Sequence, residues 1–223
     1  MQKELNSNIN LLRLKLESVV GSNSQSLNEV TTIAVSKKKS LDHINIAFEC
    51  GINNFGENYA QELEEKFLNI KNEDIIWHFI GPIQSNKIKI ISRCADWVHS
   101  LDRESVVEKL NKECGNLGKV INGFIQVNVS EEETKSGIKA SNLLEFAKLL
   151  ETMENINLKG IMVLPKIGSK DEMIKSKELH DELIAVYPSA KYLSMGTTSD
   201  FELAISIGSN MIRVGELIFG ERL

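Results

Sequence analysis

From residue 30 onward, a short apolar run followed by a helical pattern recurs eight times, and this alternation limits the fold more than any other feature. The runs fall at 30–36, 53–55, 75–80, 97–100, 122–129, 158–164, 191–195 and 211–214. Helical patterns follow at 40–51, 58–68, 85–94, 103–114, 141–153, 170–186 and 199–207, with a last turn at 216–219. Strands joined through helices pair in parallel. Eight such units, of roughly 25 to 30 residues each, close into a (β/α)8 barrel. An open doubly wound sheet needs a glycine-rich first turn, whereas the first turn here reads Ser36-Lys37-Lys38-Lys39. The expected fold is therefore α/β, a TIM barrel forming one domain over 1–223.

An extra helix over 3–20 precedes the barrel, with Leu5, Ile9, Leu12, Leu16, Val19 and Val20 at helical spacing. It is expected on the bottom or flank of the barrel, and 21–28 is expected to be a polar loop. The third helix is expected to bury Leu63 with Tyr59, Phe67 and Leu68. Gly115 and Gly208 read as helix closers.

Cys50, Cys94 and Cys114 are odd in number and widely spaced, which reads as reduced thiols in a cytoplasmic protein. A net charge of −5 without a basic, aromatic-laced stripe argues against nucleic acid. No run approaches the roughly 18 apolar residues that span a bilayer, and the polar start Met1-Gln2-Lys3-Glu4 is unlike a signal peptide. A monomer is expected.

In such barrels chemistry sits at the carboxyl ends of the strands. There this chain places Lys37, Glu57-Asn58, Gly81 to Lys87, Asp102-Arg103, Asn128 to Gly137, Met162 to Pro165, Ser194 to Asp200 and Arg213 to Glu216. Lys37 is either a solvated loop lysine or an amine that condenses with a carbonyl ligand, a role that needs its neutral form. The loop Gly196-Thr197-Thr198-Ser199-Asp200 offers hydroxyls at a helix start, and Gly215 with the N–H groups of Glu216 and Leu217 adds a second edge. This is either a phosphate cup or a helix cap made by Thr198 or Ser199. Arg213 alternates with Ile212 and Val214, so it faces the barrel interior, and it needs a partner there: an acidic residue such as Glu202 or Glu57, or a ligand. A phosphorylated carbonyl compound satisfies lysine, cup and arginine together, and pyridoxal 5′-phosphate (PLP) is such a compound. No histidine pair has metal spacing. His78 and His99 read as hydrogen-bonded strand residues, His43 and His180 as surface residues. Lys135 is a second amine that could serve the site.

Several blocks then converge: Ala34-Val35-Ser36-Lys37, Phe55-Gly56-Glu57-Asn58, Trp77 to Lys87, Lys135-Ser136-Gly137, Arg213-Val214-Gly215 and Ile218-Phe219-Gly220. Over almost its whole length the chain resembles the YggS/PROSC family of pyridoxal phosphate homeostasis proteins, single barrels like the N-terminal domain of alanine racemase. The resemblance implies a PLP Schiff base on Lys37. It also implies that Ser194, Gly196, Thr198, Arg213, Gly215 and Glu216 line phosphate and ring, with Asn58 and Met162 nearby. Two positions depart from the family: Thr197 replaces a methionine, and Glu216 stands where threonine or serine is usual. The Glu216 carboxylate must then point away from a phosphate.

The reading is a PLP carrier in vitamin B6 homeostasis without turnover, with PLP-dependent apo-enzymes as recipients. The alternatives are a PLP-dependent amino-acid racemase and a lysine Schiff-base enzyme acting on a sugar phosphate. Against the racemase stand the end of the chain at the barrel's closure and the absence of Tyr59, Tyr187 and Tyr192 from the strand ends. Against the third, only Glu57 and Asp102 offer acid–base chemistry near the lysine. The part played by Lys87 or Lys135 in transfer stays open.

Overall fold

The computed structural model describes residues 1–22, 29–130, 132 and 134–220. The loop expected over 21–28 lies, from residue 23, outside the described residues. Eight parallel strands form the barrel: β1 Thr31–Val35, β2 Asn54–Glu57, β3 Ile76–Phe79, β4 Trp97–Leu101, β5 Ile121–Asn128, β6 Ile156–Val163, β7 Tyr192–Thr197 and β8 Met211–Val214. Each pairs with its neighbours in sequence, and β1 pairs with β8 through Ile33↔Arg213 and Ala34↔Val214, which closes the cylinder. A two-residue strand, Ile138–Lys139, extends the sheet beside the end of β5 and was not anticipated. It lies in a polar loop, with too few residues to show a period.

The helices are α1 Gln2–Ser22, α2 Leu41–Glu49, α3 Ala60–Asn69, α4 Ile88–Cys94, α5 Glu104–Asn116, α6 Leu143–Glu151, α7 Lys170–Val186, α8 Phe201–Ile207 and α9 Glu216–Phe219. Among the described residues none is long and apolar enough to cross a membrane.

Side chains alternate across each strand, so the apolar residues divide into two sets. One set faces the helices and forms the main core, with Ala34, Phe55, Phe79, Val98, Ile125, Ile161, Leu193 and Ile212 among its members. The other fills the barrel: Ile33, Phe124, Met162 and Met211, flanked by Trp97 and Tyr192. Helix α1 packs on the flank, against α2, α8 and α9. Its Leu5, Ile9, Leu12, Leu16 and Val20 are buried at the expected spacing.

Three local expectations are corrected. The buried face of α3 is Ala60, Leu63 and Lys66, while Tyr59, Phe67 and Leu68 are exposed. The helix is rotated because Lys66 ion-pairs inward, a preference that apolar counting cannot see. Gly115 lies inside the last turn of α5, and the left-handed residue beyond that helix is Gly118, at φ 60°. His180 is buried, its ring nitrogen Nε2 donating to the Ala190 carbonyl at 3.0 Å.

Candidate functional site

The carboxyl end of β1 is fixed from behind. Ser36 points away from the interior, and its backbone N–H donates to Gly56 at 3.0 Å. Its carbonyl accepts from the Lys39 N–H at 3.0 Å and from the buried Lys66 ammonium at 2.7 Å. Lys66 also meets Glu57 and Glu62, each at 2.7 Å. Ser36 donates its hydroxyl to Glu57 at 2.5 Å. Burial, only partly offset by Lys66 and Ser36, pushes the Glu57 carboxyl up to about 7. With Ser36 held outward, the next residue, Lys37, turns inward. The turn then carries the exposed Lys38 at φ 62°, and the Lys39 ammonium donates to the Phe219 carbonyl at 3.0 Å, tying this loop to α9.

Lys37 lines a cavity of about 450 Å³ at the carboxyl ends of the strands, within the usual range for small-molecule sites. Its wall includes Lys39, Asn58, Met162, Leu164, Thr197, Thr198, Ser199, Arg213, Gly215 and Glu216. The capping reading of the strand 7 loop fails. Asp200 is the N-cap of α8, and its carboxylate accepts from Thr197, at 2.7 Å from the N–H and 3.0 Å from the hydroxyl. Thr198 Oγ1 accepts from the Gly215 N–H at 3.2 Å and so joins the two loops. Thr197 thus orders the loop through its own hydroxyl, and Thr198 and Ser199 line the cavity.

Arg213 is 5 % exposed and lies deep in this cavity. It pairs with neither expected carboxylate: Glu202 binds Lys15 and Glu57 binds Lys66. It donates instead to Ser194 Oγ at 2.6 Å and to the Val163 carbonyl at 2.9 Å. Those bonds use two of its five N–H donors. Burial lowers its pKa to about 10, with Asp200 opposing, so it remains a cation at neutral pH.

Of the nine residues expected at the site, the fold brings Lys37, Asn58, Met162, Thr198, Arg213, Gly215 and Glu216 to one cavity. Ser194 and Gly196 stand behind it. Ser194 is fully buried, with its hydroxyl between Arg213 and His99. A Cβ on Gly196 would fall 2.7 Å from Ala204 Cβ, so glycine there seats α8 against β7. The second amine, Lys135, is drawn to Ser130 at 2.8 Å and to Glu132 at 3.5 Å, away from the wall. Lys87 precedes α4 outside the cavity lining. Neither candidate carboxylate lines it either, since Asp102 binds Arg103 at 3.0 Å. Sequence reasoning missed the Lys66–Glu57 pair. Its signal was a lysine three residues after Leu63, on the apolar stripe of α3.

The alanine racemase N-terminal domain family matches residues 18–223. A protein of Buchnera aphidicola named pyridoxal phosphate homeostasis protein is 40% identical over 223 residues, 96% of each chain. One of the same name from Haemophilus influenzae is 38% identical over 224 residues, 96% of this chain and 94% of that one. The solved structure of PipY from Synechococcus elongatus with PLP bound superposes with a TM-score of 0.84. It is 28% identical and covers 97% of this chain and 100% of that one.

Proposed function

The chain belongs to the family of pyridoxal phosphate homeostasis proteins built on the alanine racemase N-terminal domain, and from that premise we propose that it holds PLP reversibly on Lys37 without turning it over. The observation that carries this reading is one cavity lined by an amine, a deep guanidinium and a hydroxyl-rich double loop. PLP offers an aldehyde, a pyridine nitrogen and a phosphate, one partner for each. When bound, it supplies an aldehyde that traps an amine and a ring that withdraws electrons.

The residues present fit the group. Asn58 Oδ1 is buried without a partner in the cavity wall, so the wall offers an unmet acceptor. Thr198, Ser199 and the Gly215 backbone would hold the phosphate. A Cβ at Gly215 would press on the Val35 carbonyl at 3.3 Å, so this edge stays narrow. Arg213 would face the ring nitrogen, and Met162 would pack on the ring. Lys37 would hold the aldehyde end through its amine, a linkage that forms with loss of water and that water can reverse.

The absence of turnover is supported by what lines the cavity. Racemisation needs two bases on opposite faces of the substrate α-carbon. No tyrosine lines this wall, Lys39 is tied to Phe219, and Glu216 sits beside Gly215 and Thr198 on the anion side. Three free cysteines, two of them buried, support a reducing cytoplasm, where we place the protein as a monomer delivering PLP to apo-enzymes.

Borohydride reduction of the PLP-loaded protein, followed by peptide mapping, tests the site. The expected adduct is on Lys37; one on Lys38 or Lys135 alone, or none, overturns the assignment. Incubation with L- and D-amino acids in deuterated water tests the absence of turnover. Sustained α-carbon exchange with inversion would establish a racemase instead.

A further inference from the structure

Behind Arg213, a line of polar side chains crosses the barrel interior where apolar filling is the rule. From Ser194 the chain continues through His99 Nδ1 at 3.1 Å, and His99 Nε2 lies 2.9 Å from His78 Nδ1. His78 Nε2 lies 2.9 Å from Asn54 Oδ1, and Asn54 donates to Asn53 Oδ1 at 2.7 Å. Both histidines are fully buried. Trp97 stacks on His78, with centroids 5.6 Å apart, and Phe124 lies 4.4 Å from His99.

The two ends of this chain together fix the sense of every bond. Arginine has donors only, so Ser194 Oγ must accept from it. The reverse sense, His99 Nδ1–H donating to the serine, would leave a bare His78 Nε2 facing the Asn54 oxygen, so the serine proton goes to a bare His99 Nδ1. A neutral His99 therefore carries its proton on Nε2 and donates to a bare His78 Nδ1. His78 in turn donates from Nε2 to the Asn54 carbonyl oxygen. Each atom in the line is satisfied in this one arrangement, with both rings neutral. A proton added to His99 would place a second cation beside the Ser194 hydroxyl that already binds Arg213. Burial lowers the pKa of His78 to about 3, and burial, His78 and Arg213 lower that of His99 well below its ordinary value.

We propose that Ser194, His99 and His78 are positioning residues: a one-way hydrogen-bond chain that locks the Arg213 guanidinium in place beneath the cofactor's ring nitrogen. The inference rests on the PLP reading above and deepens it. A guanidinium held through NH1 and NH2 cannot swing toward the phosphate cup. Its remaining donors would face the ring nitrogen of bound PLP, which would stay an acceptor because Arg213 does not give up a proton. A ring kept unprotonated is a poor electron sink, which suits holding PLP rather than using it.

Two measurements test this. In the apo protein, 15N-histidine NMR should show His78 and His99 as neutral Nε2–H tautomers at neutral pH; either ring cationic or in the Nδ1–H form overturns the chain. This result does not depend on PLP. In the loaded protein, Ser194→Ala should shift the visible absorption band and speed PLP release at least about tenfold, and Ser194→Thr, which keeps the hydroxyl, should restore both. If wild type binds PLP and Ser194→Ala, folded by circular dichroism, matches it in band and release, the histidines are structural only. If wild type binds no PLP, the function proposed above fails while the tautomer result still stands or falls alone.

Discussion

Glu57, Lys66 and Ser36 show how one buried carboxylate can set a neighbouring strand end. The pair is enclosed on every side, with Lys66 4% exposed and Glu57 not at all. Removing one partner from such a pair leaves an uncompensated charge and is strongly destabilising. The raised Glu57 pKa also has a defined sign in stability. A carboxyl at about 7 in the folded state and 4.5 in the unfolded state binds its proton more tightly when folded. Its contribution is therefore fully present below pH 4.5 and is lost as pH rises to about 7. Between those limits, wild-type stability should fall relative to Glu57→Gln by up to about 3 kcal/mol. Urea denaturation of both proteins across that range checks this, and parallel curves would refute it. Arg213 was legible at this scale because a period of two assigns a strand residue to a face, and Lys37 because it ends the first apolar run. Ser194 was not: a hydroxyl in a strand reads the same whether it meets a ligand or a neighbouring side chain.

At the scale of elements, the strand ends are spaced by backbone contact. A Cβ on Gly81, just beyond β3, would fall 2.0 Å from the Asn58 carbonyl oxygen beyond β2. Backbone meets backbone there, so neither side can yield cheaply. Gly81→Ala should cost about 2–3 kcal/mol and, by displacing Asn58, weaken PLP binding by roughly tenfold. Denaturation and a PLP titration read the two effects separately; unchanged affinity would remove Asn58 from the site. Helix α1 belongs to the same scale. Asn8 donates to the Ile218 carbonyl at 3.1 Å, so α1 braces α9, the helix whose first residue lines the cavity. The amphipathic spacing of α1 was plain in sequence, but the identity of the face it covers was not, because a stripe does not name its partner.

For the whole molecule, closure of β1 on β8 brings Lys37 and Arg213 to one cavity although 176 residues separate them in sequence. A ligand that binds only the closed barrel stabilises all of it by mass action. At a hundred times its Kd, PLP should add about 2.7 kcal/mol and raise Tm by about 5–10 °C. Lys37→Ala, compared with its own apo Tm, should lose most of that rise. Calorimetry also tests the single-domain reading: one transition with equal calorimetric and van't Hoff enthalpies is expected, and two resolved transitions would split the chain.

The sequence alone determined the eightfold alternation, the end of the barrel at which the candidate site residues gather, and the inward side of β8. These rest on local periods and turn chemistry, which short segments carry complete. Only the tertiary structure decided that Thr198 binds Gly215 rather than caps α8, that Lys66 turns α3 to reach Glu57, and that Ser194 and two histidines stand behind Arg213. Each of those is a contact between segments far apart in the chain. It depends on barrel register and on burial of polar atoms that must find partners, neither of which any one segment contains.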